Sequence, residues 1–183
     1  GTAPSVYTGT GASPAIAANR LSFLLGFTGP SLVVDTACSS SLAALHVAAM
    51  SLRNGDCSTA VVAAADLMLS PHAIAVRAAA NMLSPDGKCK TFDKGANGYV
   101  RGEGGVCLVL KRLCDVDPAA DVVHAVVHGS ALNQDGRSAS LTAPCGIAQQ
   151  SVIERALRDA GAQPSDVRYV ETHGTGTSLG DPI

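Results

Sequence analysis

The sequence predicts an α/β fold with mainly parallel strands, and three observations carry that prediction. Short apolar, β-branched runs alternate along the chain with segments whose apolar residues recur every three to four positions. Brief turns rich in Gly, Pro, Asn and Asp separate them. Alanine and glycine are abundant while aromatic residues make up only 3 %, so the layers are built from small side chains that let backbones approach closely.

In chain order, Ala15 to Leu25 reads as a helix closed by Gly26, and "SLVVDTA" (31–37), after Gly29-Pro30, as a short buried strand. Leu42, Leu45, Ala49 and Leu52 then mark one face of a helix that starts at Ser39 and ends near Asn54-Gly55. "TAVVAAADLML" (59–69) reads as a second buried strand and Pro71 to Leu83 as a second helix. A long glycine-punctuated loop follows, 84–105, in which Arg101 and Glu103 are expected to pair. "GVCLVLKRL" (105–113) and "DVVHAVVHGSALNQ" (121–134) read as strands joined by an Asp/Pro turn into a hairpin. "GIAQQSVIERALRDAG" (146–161) sets Ile153, Ala156, Leu157 and Ala160 on one helix face and stops at Gly161. "VRYVETHG" (167–174) is a last strand that runs into a glycine-rich turn. No shift in composition marks a boundary, so residues 1–183 read as belonging to one domain.

Composition excludes several functions. With 46 % hydrophobic and 15 % charged residues, the chain is neither a disordered tail nor a charge-driven binder. A net charge of −2 without a Lys/Arg run speaks against nucleic acid or an anionic membrane surface as partner. No apolar stretch reaches the ~18 residues that span a bilayer, and the N-terminus lacks a signal-peptide pattern. The six cysteines include no C-x-x-C pair, so no zinc or other metal site and no disulfide framework is expected. Scattered thiols fit a cytoplasmic, reducing setting. The chain starts at Gly1 and stops at Asp181-Pro182-Ile183, which reads as an internal fragment.

Two stretches carry candidate chemistry. In "VDTACSSSLAALH" (34–46), Cys38 stands where a strand hands over to a helix. Unpaired N–H groups and the positive end of the helix dipole there favour thiolate over thiol. The serines have no such help, because Thr36 and Ser40 stand where the G-x-S-x-G elbow needs glycines. Ser39, Ser40 and Ser41 instead suit helix-start positions that satisfy free N–H groups. The residues alone leave Cys38 open as either a nucleophile or a small buried hydrophobe. In "ETHGTGTSLGD" (171–181), His173 ends a strand, the glycines admit a ligand close to the backbone, and Thr175 and Thr177 offer two hydroxyls on one side. Taken alone, His173 is an ordinary loop histidine; paired with a cysteine at another strand end, it gains force. His46 and His72 suit helix-surface or core roles, and His124 and His128 share one strand face without a third ligand. The loop glycines fit neither phosphate-binding pattern.

"VDTACSSSL", "SPDGKCKTFDKGANGYVRGEGG", "NQDGRSASLTAP" and "ETHGTGTSLGDPI", in this order, resemble the β-ketoacyl synthase (ketosynthase) domain of type I polyketide synthases. The resemblance covers essentially the whole chain. It implies a thiolase-like fold of two similar α/β halves in five αβαβα layers, here incomplete at both ends, and a homodimer. Cys38 matches the nucleophile that takes the growing acyl chain. His173 matches the first of two histidines that assist decarboxylation of the malonyl extender. Thr175 and Thr177 match the threonines that bind the phosphopantetheine arm of an acyl carrier protein, and Asp181 a structural aspartate. No cofactor is bound; the substrates ride on the carrier's phosphopantetheine. The other partners implied are an acyltransferase and further domains of the same polypeptide.

The family's lysine, second histidine and glycine-rich oxyanion loop fall beyond residue 183, so the isolated chain is expected to be inactive. Thr172, Cys145 and Asn97 depart mildly from the usual residues, and none removes a proposed catalytic group. A glutamine at position 38 would mark a decarboxylase. The alternatives are an inactive fragment and a condensing enzyme of the fatty-acid-synthase or thiolase kind. The "NQDGRS" and "GDPI" stretches favour the polyketide type.

Overall fold

A computed structural model describes Ala3 and residues 5–183. The chain forms two compact units that interleave in sequence. The first takes the residues up to Ala64 and Val106–Val126; the second takes Ala65–Gly105 and Val127–Ile183. The chain passes between them without a linker, twice in mid-strand, which is why composition shows no boundary.

The first unit holds helices α1 (Val6–Ala12), α2 (Pro14–Leu25) and α3 (Ser40–Asn54), with most of strands β1 (Thr59–Asp66) and β2 (Gly104–Lys111). Local signals set the helix ends: Pro14 occupies the first turn of α2, and left-handed Gly26 and Gly55 terminate α2 and α3. Arg112 donates to the carbonyls of Leu52 (2.9 Å) and Cys57 (3.2 Å), giving the end of α3 a cationic partner. After β2 the chain turns at Asp121. Lys111 and the Asp117 N–H both donate to its carboxylate, and together, Lys111 foremost, they hold it below the usual carboxylate range.

β1 and β2 pair with each other. Arg112, just past β2, reaches Cys57, just before β1, whereas Glu103, just before β2, accepts from the Met68 N–H (2.6 Å), just past β1. The strands therefore run antiparallel, in contrast to the predicted parallel pairing, and the expected hairpin of 105–113 with 121–134 does not form. Segments 31–37, 121–134 and 167–174, each expected to be a strand, make no ladder. A strand exists only where a second backbone accepts its hydrogen bonds, and an apolar run does not say where that partner lies.

The second unit contains α4 (Pro71–Ala79) and α5 (Gly146–Ala160). α4 stops short of the predicted Leu83, with Asn81 turning left-handed (φ 53°). Residues 129–133 run along α5 instead of in a sheet: Ser130 N–H donates to Asp159 (2.9 Å) and Asn133 to the Ala148 carbonyl (2.7 Å). A Cβ on Gly129 would lie 2.4 Å from the Ala160 nitrogen, so only glycine permits this approach. Arg101 and Glu103 do not pair with each other; Arg101 takes both oxygens of Asp66 (2.8 Å each), and Glu103 takes Met68. A parallel bridge between Leu83 and Tyr99 ties the ends of loop 84–98. Inside it Lys90 donates to Asp86 (2.9 Å) and Asn97 (2.7 Å), and Ser84 donates to Asp86 (2.6 Å). Lys90, with Ser84 behind it, lowers the Asp86 carboxyl from its ordinary 3.8 to about 2.

The hydrophobic core is small. Among the described residues only Ala43, Leu52 and Val62 are buried apolar side chains, whereas Phe23, Val122 and Tyr169 are each more than three-quarters exposed. The chain exposes 13499 Å². Two separate compact bodies of half its mass would together expose only about 9,900 Å². The excess holds whatever the arrangement of the units and is rich in Val, Leu and Phe. Among the described residues, no helix is long and apolar enough to cross a membrane.

Three expectations follow. The isolated 183 residues should bind a hydrophobic dye and melt without a sharp cooperative transition; a two-state melt with little dye binding contradicts this. In the full-length protein, Gly129→Ala should lower the denaturation midpoint by the equivalent of about 1–3 kcal/mol, because the methyl meets backbone that cannot yield. Asp86 has a lowered folded-state pKa, so its stabilisation is complete above 3.8 and disappears as pH falls through about 2. Amide-exchange protection of loop 84–98 should exceed that of Asp86→Asn at neutral pH and converge with it below pH 2.

Candidate active site

Cys38 lies in a 3-10 turn, Ala37–Ser39, that feeds directly into α3. The turn is strained: Ala37 has φ 57°, a left-handed conformation that costs an L-residue on the order of 1–2 kcal/mol. Local hydrogen bonds hold it. Asp35 accepts from the Ala37 N–H (3.0 Å). Ser40 accepts from the Thr36 N–H (2.9 Å) and donates to the Ala37 carbonyl (2.6 Å). Ser39 donates to the Thr36 carbonyl and hydroxyl, both at 2.9 Å. Two of the serines expected to cap the helix thus do something else, since Ser39 and Ser40 turn back onto the residues before Cys38 and lock the sharp bend. Cys38 itself is exposed, which removes the buried-hydrophobe reading. Exposure does not single it out, because Cys89, Cys107 and Cys114 are exposed too. The braced left-handed turn at a helix start does.

His173, Thr175 and Thr177 lie together in the second unit, on one turn whose shape comes from distant main chain. His173 is exposed, the threonines are half-buried and Gly176 between them is buried. The threonine hydroxyls stand 3.3 Å apart. Thr177 already accepts from the Gly180 N–H (3.1 Å), which leaves its own proton to donate to its neighbour or to a ligand. Gly176 has φ 70°, and a Cβ there would sit 2.9 Å from the Lys90 nitrogen. Its N–H donates to Asp181 (3.0 Å) and its carbonyl accepts from the Gly98 N–H (3.0 Å). The second Asp181 oxygen accepts from the Phe92 N–H (2.8 Å), and the Thr91 hydroxyl donates to the Gly174 carbonyl (2.6 Å). Tyr169, on the way in, donates to Glu171, which holds its phenol above the usual range.

The sequence thus finds His173, Thr175 and Thr177 on one turn, whereas Cys38 belongs to the other unit. It gives Asp181 only a general structural part, and gives Lys90, Thr91, Phe92 and Gly98, inside the loop motif it quotes, no role of their own. Their signal is weak by nature, because most of these bonds use main-chain groups that every residue carries. Among the described residues, no cluster of three or more His, Cys, Asp or Glu side chains could hold a metal ion.

With this geometry in hand, comparison with known proteins is specific. Residues 2–115 match the family "Beta-ketoacyl synthase, N-terminal domain" and residues 124–183 match "Beta-ketoacyl synthase, C-terminal domain". The chain is 52 % identical over 177 residues to a polypeptide of the phenolphthiocerol/phthiocerol polyketide synthase of Mycobacterium tuberculosis, covering 97 % of this chain and 9 % of that protein. It is 48 % identical to the highly reducing polyketide synthase dmxL2 of a Cryptosporiopsis species, covering 96 % of this chain and 7 % of the relative. Among solved structures, the oxazolomycin ketosynthase domain OzmH KS7 of Streptomyces albus superposes with a TM-score of 0.92 at 42 % identity, covering 100 % of this chain and 30 % of that one. The ketosynthase from module 6 of the bacillaene synthase of Bacillus subtilis 168 gives 0.91 at 43 %, with 98 % and 33 % covered. The chain thus spans about a third of these ketosynthases and carries part of their thiolase-like α/β fold. It belongs to the beta-ketoacyl synthase family, as a partial ketosynthase domain of the polyketide synthase type.

Proposed function

We propose that residues 1–183 are part of one ketosynthase domain that lengthens acyl chains by decarboxylative Claisen condensation in polyketide biosynthesis. The observation that carries this reading is the exposed Cys38 on a strained, braced turn at a helix start, in a chain matched by both parts of one condensing-enzyme family. The excess apolar surface supports the partial-domain reading, since it is what a piece of a larger core leaves uncovered.

The chemistry runs in two halves. The Cys38 thiolate attacks the carbonyl of a carrier-bound acyl thioester; the new C–S bond forms as the carrier thiol leaves, dividing one hard step into two easier ones. A malonyl-type thioester then enters on its phosphopantetheine arm, whose amides and hydroxyls suit the Thr175 and Thr177 hydroxyls. Loss of carbon dioxide leaves its electron pair on the α-carbon, and His173 donates a hydrogen bond to the thioester oxygen where that charge develops. The α-carbon attacks the acyl carbonyl on Cys38, the C–C bond forms, the C–S bond breaks, and the thiolate is restored. The β-ketoacyl product remains on the carrier.

The partners in this reading are an acyl carrier protein, the acyltransferase and other domains of a multidomain polypeptide, and a second copy of the domain as homodimer. The location is the cytoplasm, and no bound cofactor, nucleic acid or membrane takes part.

The test uses the full-length protein that contains this chain. After incubation with acyl thioester and digestion, the acyl group should map to Cys38 and vanish in Cys38→Ala. His173→Ala should keep that loading within a few-fold and lose on the order of 10²–10³ in decarboxylation rate. Acyl groups found elsewhere, or full decarboxylation without His173, would refute the assignment.

A further inference from the structure

We propose that Lys90 is a positioning residue for the turn that carries Thr175 and Thr177, so that it sets affinity for the carried substrate without touching it. This rests on the reading of those threonines as the seat of the phosphopantetheine arm. Within the second unit, three consecutive residues meet the turn. The Lys90 main chain lies where a Gly176 side chain would be, the Thr91 hydroxyl bonds the Gly174 carbonyl, and the Phe92 N–H bonds Asp181. A second strip of the same loop grips the other side of Gly176, because the Gly98 N–H donates to its carbonyl (3.0 Å).

The Lys90 ammonium joins these two strips. It stands 2.7 Å from the Asn97 side-chain oxygen, one residue before Gly98, and 2.8 Å and 2.9 Å from the two Asp86 oxygens. Asn97 and Asp86 are tied in turn by Ser84, which donates at 2.6 Å to Asp86 and lies 3.2 Å from Asn97. Phe92 is held left-handed (φ 60°), so the loop does not reach this shape by local preference alone. Asp86 is half exposed, and an exposed ion pair stabilises a fold little. What the ammonium supplies is geometry: it fixes the gap into which Gly176 fits, and with it the spacing of the two hydroxyls. Without it Asn97 keeps only the longer Ser84 contact (3.2 Å), the link between the 90–92 strip and the Gly98 strip is lost, and the hydroxyls no longer meet the arm together.

The experiment uses the full-length protein and two malonyl donors, one on a pantetheine arm and one a short donor on ethanethiol, which lacks the arm's amides and hydroxyls. Lys90→Met should raise KM for the pantetheine donor about 5- to 10-fold, with kcat and the KM for the short donor within about twofold. Lys90→Arg should recover most of that loss, and Asn97→Ala, which leaves the ion pair in place, should show part of it even if Lys90→Met folds poorly. In Thr177→Val, the Lys90→Met change should add little, as expected of two residues acting on one contact. Equal KM changes for both donors, or no change for either, would overturn the proposal. If Thr177→Val itself leaves the pantetheine KM unchanged, the reading of the arm fails; if that variant raises KM and the Lys90 and Asn97 variants do not, the positioning role alone fails.

Discussion

The Asp181 carboxylate accepts from two backbone N–H groups, Gly176 five residues before it and Phe92 eighty-nine residues before it. Backbone N–H groups are fixed to the path of the chain, so a carboxylate shared between two of them fixes one path against the other. Because Gly176 sits between Thr175 and Thr177, the position of both hydroxyls follows from that single shared acceptor. A side-chain-to-side-chain contact would leave rotamers free at both ends, whereas here both donors are stiff backbone and the one side chain is held at both of its oxygens. Gly176 meets the demand by lacking a Cβ, since any side chain there would strike the Lys90 nitrogen.

The Cys38 turn solves the same problem by local means. Its strain at Ala37 is held by neighbours within four residues: Asp35 below, Ser39 and Ser40 folded back from the helix start. The two turns thus differ in what keeps them in shape. One carries its scaffold in its own sequence; the other borrows it from a loop far away in the chain. Serines beside a cysteine invite thoughts of shared chemistry, yet Ser39 and Ser40 spend their hydroxyls on the bend.

That difference explains what could be read from the sequence. Helices α3 and α5 are legible because their apolar period and their terminal glycines are local facts, and the place of Cys38 at a helix start is legible because such a start has a local signature. His173, Thr175 and Thr177 stood out by their glycines. The buttress behind them did not, since the partners of Gly174, Gly176 and Asp181 lie in a loop that reads as generic turn sequence. Strand pairing failed for the same reason: the apolar run at 121–134 announces a strand, while its residues 129–133 lie against the side chain of Asp159 and the backbone of α5. Arg101 and Glu103, adjacent on paper, each chose a partner near the end of β1.

The interleaving of the two units bears on how such a chain can be cut and rejoined. Its crossings at 64/65 and 105/106 fall inside β1 and β2, and the third, at 126/127, within the stretch that goes on to line α5. A recombination event or an engineered splice at any of these points joins strands or packing surfaces that were never selected to fit. A splice that leaves both units whole therefore has to carry the Cys38 turn and the His173 turn together.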